Sequence, residues 1–157
     1  MTNPSAAWDA IDVLVADIKA QAAVATIPVL TGTPTPVEIT QYPVHLFVAG
    51  SISEWSQTWN ETPQGSPLTG NRDEAFTLYV GIYARQRGGT FSSLRTIIKP
   101  LFTAVQTALR ADWTLGGTLS ASGMAEPGRM SLDESLADES TRELMLRIAV
   151  NCTASIT

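Results

Sequence analysis

The sequence is poor in the residues from which most catalytic and metal sites are built. Its 157 residues include one cysteine, Cys152, and one histidine, His45. A single cysteine excludes a disulfide within the chain, and these two side chains fall short of the four Cys or His ligands of a structural zinc site. Cys152 stands in an alternating apolar run, which is typical of a small buried hydrophobe in a reducing compartment. The sequence therefore predicts neither a metal site nor a cofactor.

Charge is also scarce. Charged residues make up 16% of the chain, the net charge is -5, and the 10 basic residues are scattered along the sequence. Phosphate-backbone binding needs a cluster of basic side chains, so we expect no specific nucleic-acid binding. A surface with few charges suits burial against protein partners.

Long hydrophobic runs are missing as well. No segment approaches the ~20 apolar residues that span a bilayer, and residues 1–5 lack the basic and apolar regions of a secretory signal. The hydrophobic fraction of 44% suits one folded core. We expect one soluble, non-secreted domain over residues 1–157, without membrane contact.

Residues that could carry chemistry lack the local patterns that chemistry requires. The serines after Gly50 do not form a nucleophile elbow, and the acidic run at residues 133–139 lacks the spacing of a calcium loop. The Gly-rich turn at residues 85–89 lacks the spacing of a phosphate loop. A small enzyme that uses His45 is the less favoured alternative, and it would require His45 to face a cleft beside a carboxylate.

The pattern that is present is that of an α+β domain. Apolar and polar side chains alternate along residues 74–85 and again along residues 141–153, as in half-buried strands. We predict a mixed, mainly antiparallel sheet of about four strands, at residues 43–49, 74–85, 115–124 and 141–153. The first alternating segment places Phe76, Leu78, Val80 and Ile82 on the buried face.

Two helices are predicted to cover that face. The first spans about residues 5–25, with Ser5 as its N-cap, and the second ends at Ala111. Pro100 lies within the second pattern, so either the helix kinks there or the main helix begins at that proline. Between the first helix and the first strand, residues 37–40 follow two prolines and are predicted to be extended.

Residues 50–73 break every periodic pattern and are predicted to form a long loop. Trp55 and Trp59 lie four residues apart in it, which allows a helical turn whose rings pack on the core. The other interpretation makes them interface anchors in a loop that is mobile in the free subunit and ordered on assembly. The candidate interface residues are Trp55, Trp59, Arg72, Arg85 and Arg87.

The order of these elements resembles that of the tail terminator proteins of long-tailed bacteriophages. The resemblance rests on the alternating strand at residues 74–85 and on the helix end at residues 108–113, which precedes Leu115-Gly116-Gly117. It extends over nearly the whole chain. Related neck and minor tail connector proteins share the same small α+β plan, and they are the alternative assignment.

This resemblance implies a structural virion protein without enzymatic activity. Such a protein forms a ring, expected to be a hexamer, that caps the tail tube and ends its polymerisation. The ring then offers a joining surface to the head-side connector protein. The expected location is the head-proximal end of the phage tail, after synthesis in the host bacterial cytoplasm.

Overall fold

The chain folds as an α+β protein with one mixed sheet, seen in a computed structural model that describes residues 6–59, 72–119 and 123–156. Within these residues there are three helices and five strands, in the order α1 (Ala6–Lys19), β1 (Val29–Thr31), α2 (Pro36–Gln41), β2 (Val44–Trp59), β3 (Arg72–Arg87), α3 (Phe91–Ala111), β4 (Met124–Leu136) and β5 (Thr141–Ile156). The strands lie side by side in the order β1-β2-β3-β5-β4. Only the β1–β2 pair is parallel. The predicted mixed, mainly antiparallel sheet is confirmed.

The central strand β3 has one face in the core and one outside it. Side chains Phe76, Leu78, Val80 and Ile82 are at most 4% exposed, which confirms the predicted register. Their partners across the β3–β5 ladder are Cys152, Val150, Ile148 and Leu146. Helices α1 and α3 pack on this same face and complete a single hydrophobic cluster. Both long helices therefore cover one side of the sheet, as predicted.

Helix α3 begins and continues for clear local reasons. Thr90 is its N-cap, and its side chain accepts a hydrogen bond from the backbone N–H of Ser93, whose own side chain accepts from the backbone N–H of Thr90. This reciprocal pair satisfies two donors that a helix start leaves free. Helix α3 is continuous through Pro100, so the predicted alternative in which the helix begins at this proline is wrong. The Pro100 ring is exposed and therefore meets solvent.

The prediction of an extended segment at residues 37–40 is wrong, because these residues belong to α2. Thr35 caps this helix, Pro36 occupies its first turn, and the Glu38 side chain accepts from the backbone N–H of Thr35. A capping box with proline at the first helical position is a strong helix start, and it outweighs the strand preference of Val37 and its β-branched neighbours.

The predicted strand at residues 115–124 is wrong over residues 115–119, which form a turn, while residues 120–122 lie outside the described residues. Leu115, Gly116 and Gly117 have φ angles of 48°, 65° and 80°, in the left-handed region that a strand does not use. The Asp112 carboxylate holds this turn by accepting from the backbone N–H of Gly116 at 2.8 Å. Strand β4 instead begins at Met124 and continues through Pro127 with a bulge.

The first helix and the long loop have different bounds from those predicted. Helix α1 ends at Lys19 and a 3-10 turn follows at Ala22–Val24, while Ser5 lies outside the described residues. Strand β2 continues to Trp59 and β3 starts at Arg72, so residues 50–59 and 72–73 are strand. The remainder of the predicted loop, residues 60–71, also lies outside the described part of the chain.

The buried glutamate Glu74 connects this hairpin to α1. Its Oε1 accepts a hydrogen bond from the backbone N–H of Ala6 at 3.0 Å, and its Oε2 accepts from Gln57 Nε2 at 2.7 Å. A carboxylate at a helix N-terminus satisfies a free donor and interacts favourably with the helix dipole. Glu74 therefore fixes where α1 begins relative to β2 and β3.

A close approach on the uncovered side of the sheet yields a stability prediction. The buried Phe47 ring lies directly over Gly81, and a Cβ atom at position 81 would overlap it. We expect Gly81→Ala to lower the free energy of unfolding by about 1–3 kcal/mol in urea denaturation, since a packed ring must move. Gly50→Ala is the matched control, because its added Cβ would lie 3.6 Å from Ile11 Cδ1, an ordinary contact. Equal stability of the two variants would contradict the prediction.

Candidate interaction surfaces

The five candidate interface residues do not form one site. Trp59 and Arg72 are ladder partners at one end of the β2–β3 hairpin. Trp55 lies on the same strand as Trp59, four residues earlier in β2. Arg85 and Arg87 lie at the opposite end of β3. A strand rises about 3.3 Å per residue, which places Arg72 and Arg87 roughly 50 Å apart. Only the backbone of Trp59 and Arg72 is described.

Trp55 packs within its own domain. Its half-buried ring meets Trp8 of α1 edge to face, with centroids 6.3 Å apart and an interplanar angle of 71°. Beside them is a small apolar cavity of about 140 Å³, lined in part by Ile11 and Phe76. The predicted helical turn around Trp55 is wrong because the residue lies in a strand, yet its contact with the core is present.

Arg85 has a structural partner, whereas Arg87 is exposed. The guanidinium of Arg85 donates a hydrogen bond from Nη2 to the backbone oxygen of Thr40 at 3.0 Å. This bond ties the end of β3 to helix α2. Arg87 is on the solvent side of the last β3–β5 pair, opposite Thr141. Of the two arginines, Arg87 is the one without a hydrogen-bond or ion-pair partner in the described part of the chain.

His45 is enclosed by protein and does not face a cleft. The ring is fully buried, Nδ1 donates to the backbone oxygen of Tyr42 at 2.8 Å, and the ring stacks on Tyr83 with centroids 4.9 Å apart. Burial lowers the pKa of His45, and the bond to Tyr42 offsets part of this effect. Nε2 is also buried, without a hydrogen-bond partner among the described residues. In this structure the His45 ring therefore lacks the open cleft that an enzyme using His45 would need.

Cys152 is equally enclosed. Desolvation raises the pKa of this thiol to about 12, so almost no nucleophilic thiolate forms at neutral pH. Within the three described ranges, no group of three or more His, Cys, Asp or Glu side chains is placed to hold a metal ion.

The outer strand β4 carries an exposed apolar stripe that the sequence analysis missed. Met130, Leu132 and Leu136 are 53%, 52% and 61% exposed. The first two pair with Ile148 and Leu146, so they lie on the helix side of the sheet but beyond the cover of α3. Their alternation with polar residues was a detectable strand signal, obscured by Pro127 and Gly128, two residues typical of turns. The three residues are called the β4 stripe below.

An ion pair orients β4 against α3. Arg95 of α3 contacts both carboxylate oxygens of Glu134, at 2.5 Å from Nε and 2.8 Å from Nη2. A bidentate pair of this kind fixes direction as well as distance. It holds the β4 stripe beside the exposed side of α3.

Comparison with models of known protein families and with curated protein sequences finds no match to this chain. In the described ranges, no helix combines the length and apolar composition of a membrane span.

Two carboxyl groups meet where α1 and α3 end, and they give the fold a pH dependence. Asp112 lies within hydrogen-bonding reach of Asp17, and burial together with this neighbour raises the pKa of Asp17 to about 6. When Asp17 is ionised, its buried Oδ2 has no donor among the described residues. A proton shared between the two carboxyls removes both the repulsion and the unmet hydrogen bond.

We expect Asp17→Asn to stabilise the protein relative to wild type increasingly as the pH rises from 5 to 8. Because the folded pKa of Asp17 lies above its ordinary value of 3.8, its contribution to stability is complete below that value and is lost as the pH rises through about 6. Thermal unfolding of the variant and of wild type at pH 5 and at pH 8 measures the difference in stability between them. Burial lowers the pKa of His45, which makes stability rise with pH, but this effect is the same in both proteins and cancels when they are compared at equal pH. Asp12→Asn, on the exposed side of α1, is the control. A constant difference in melting temperature between wild type and Asp17→Asn would refute the shared proton.

Proposed function

We propose that this chain is a tail terminator, a structural virion protein that closes a phage tail tube as a ring, expected to be a hexamer. In this role it ends polymerisation of the tube and gives the head-side connector a joining surface. The observation that carries the proposal is the β4 stripe, an exposed apolar row on the helix side of the edge strand β4. The sequence resemblance supplies the particular assembly.

An apolar edge strand is costly in a protein that remains alone. Edge strands are normally protected by lysine, proline, bulges or a covering element. In β4 the bulge and proline protect only the start of the strand. Met130, Leu132 and Leu136 follow, and of the two charged residues among them, Asp133 and Glu134, the second is already paired with Arg95. Exposed apolar rows with polar surroundings mark protein contact surfaces. The stripe therefore supports association with another protein surface.

The two edges of the sheet are different, which favours a ring. The β1 edge has only three strand residues and is flanked by α2, where Val37 is 73% exposed. The β4 edge has 13 strand residues and the apolar stripe. When unlike surfaces meet, the contact is head to tail, and such contacts close into rings if the rotation is suitable. A self-complementary dimer would need one surface that fits itself.

Charge is compatible with a channel for DNA. The chain has a net charge of -5, so a ring of several copies presents a field that repels the phosphate backbone. DNA would then pass without being gripped. A neighbourhood of genes for a tube protein and a head connector would add independent support.

The decisive test is tail length in the phage that encodes the chain. Without the protein, we expect tails of uncontrolled length that do not join heads, and labelled protein should lie at the head-proximal end of normal tails by electron microscopy. A label elsewhere in the neck would favour another connector protein, and normal tails in its absence would overturn the proposal.

The β4 stripe should contribute to this activity directly. We expect Leu132→Glu to weaken ring assembly by about 2 kcal/mol, or roughly thirtyfold, because it places a charge in an apolar contact while leaving the exposed site free of strain. Thr107→Glu, exposed on α3, is the control for added charge. Circular dichroism should show both variants folded, and assembly of Leu132→Glu at wild-type strength would exclude the stripe as a contact.

A further inference from the structure

The side of the sheet not covered by α1 and α3 contains a polar groove of about 360 Å³. Three strands contribute to it, and its lining includes Thr77, Tyr79, Arg129, Ser131, Arg147 and Asn151. None of the described residues that line the groove carries a carboxylate. The chain has a net charge of -5, but this groove contains two arginines. Its local potential is therefore positive and favours an anionic ligand.

A β-bulge places the first arginine in the groove. Pro127 pairs with Val150 and Met130 pairs with Ile148, so Gly128 and Arg129 together lie opposite the single residue between them on β5. Two residues facing one is the arrangement of a bulge, which re-aims side chains and occurs often next to functional sites. The bulge thus brings Arg129 to the groove that Arg147 also lines.

The remaining groups orient donors towards the same space. The Arg147 guanidinium lies 5.7 Å from the ring centroid of Tyr79. Thr77 Oγ1 donates to Asn151 Oδ1 at 3.4 Å, which leaves the Asn151 amide as a donor beside the bulge. Among the described residues, neither Arg129 nor Arg147 forms an ion pair, so both head groups are available.

The opposite charge lies on the same hairpin, at the turn between β4 and β5. Asp138 and Glu139 are exposed there. Asp138 Oδ1 accepts from the backbone N–H of Ser140 at 2.8 Å, which makes the turn rigid, and this bond is the main reason that the pKa of Asp138 is lowered. Arg129 and Asp138 are nine positions apart along strand and turn, a span of roughly 30 Å. The turn therefore lies too far away to occupy the groove of its own chain.

We propose that the groove binds the Asp138–Glu139 turn of a second copy of this chain, with Arg129 and Arg147 pairing with the two carboxylates. Arginine matches carboxylate geometry and presents several donors in one plane. Because groove and turn are different surfaces of one subunit, each copy can bind two neighbours head to tail. The contact stands on charge and geometry alone, and only its place in a tail-capping ring rests on the proposed function.

A nucleic acid fits this groove less well than an acidic turn. Single-stranded binding tracks combine a long basic channel with several stacking rings, whereas this groove has two arginines and one tyrosine. The net charge of the chain also opposes the approach of a polyanion.

Charge reversal in two matched variants tests the contact. The groove variant is Arg129→Glu with Arg147→Glu, and the turn variant is Asp138→Asn with Glu139→Lys, in which asparagine keeps the acceptor for Ser140. Sedimentation velocity at low ionic strength should show wild-type self-association, weakened about tenfold or more in each variant alone. Mixing the two variants should restore association, because the acidic turn of the groove variant fits the basic groove of the turn variant.

Several outcomes would overturn the proposal. These are a wild-type chain that stays monomeric at the highest soluble concentration in low salt, variants that associate like wild type, or a mixture that fails to recover. Arg110→Glu, exposed on α3, is the control for charge change and should leave association intact. Binding of a single-stranded DNA oligonucleotide that depends on Arg129 and Arg147 would assign the groove to nucleic acid instead. Tail length is a separate measurement, so failure here and failure of the terminator proposal remain distinguishable.

Discussion

The pairing of β3 with β5 is the constraint on which the rest of the structure depends. Every residue of β3 has a partner, from Arg72 opposite Ile156 to Arg87 opposite Thr141. Because side chains alternate between the two faces of a strand, a slip of one residue would turn the whole apolar set outward. Burial of each aliphatic side chain contributes about 1.5–3 kcal/mol to stability. Exposing the whole set would therefore cost more than the net free energy of unfolding of a typical domain. The same alternation decides where α1 and α3 pack.

Because one face of the sheet packs against α1 and α3, the surfaces that can contact a partner are the other face and the sheet edges. Near β2 the uncovered face is closed by short-range packing, with Phe47 over Gly81 and His45 against Tyr83. Towards β4 it becomes polar and open, and there the groove forms. The division separates residues that stabilise the monomer from residues that can meet a partner. Such a separation allows assembly surfaces to change without loss of the fold.

The two side chains best suited to nucleophilic or acid–base chemistry are engaged in packing. His45 is held by Tyr42 and Tyr83, and Cys152 faces the core with its pKa raised to about 12. The features that do face outward are an apolar row, a basic groove and an acidic turn. Contacts between proteins use these three elements, with apolar area for affinity and complementary charge for register. This distribution is what the proposed role in assembly would require.

Local sequence determined the strongly periodic elements, and tertiary structure decided the rest. Strands β3 and β5 and helix α3 could be predicted because their alternation or helical spacing is long and uninterrupted. The turn at residues 115–117 could not, since three successive left-handed residues follow from how Asp112 closes the end of α3. Nor could the groove, in which Thr77, Arg129 and Arg147 come from three strands and one of them is aimed by a bulge. Periodicity reports which face of an element is apolar, but only strand order and register determine which distant side chains share a surface.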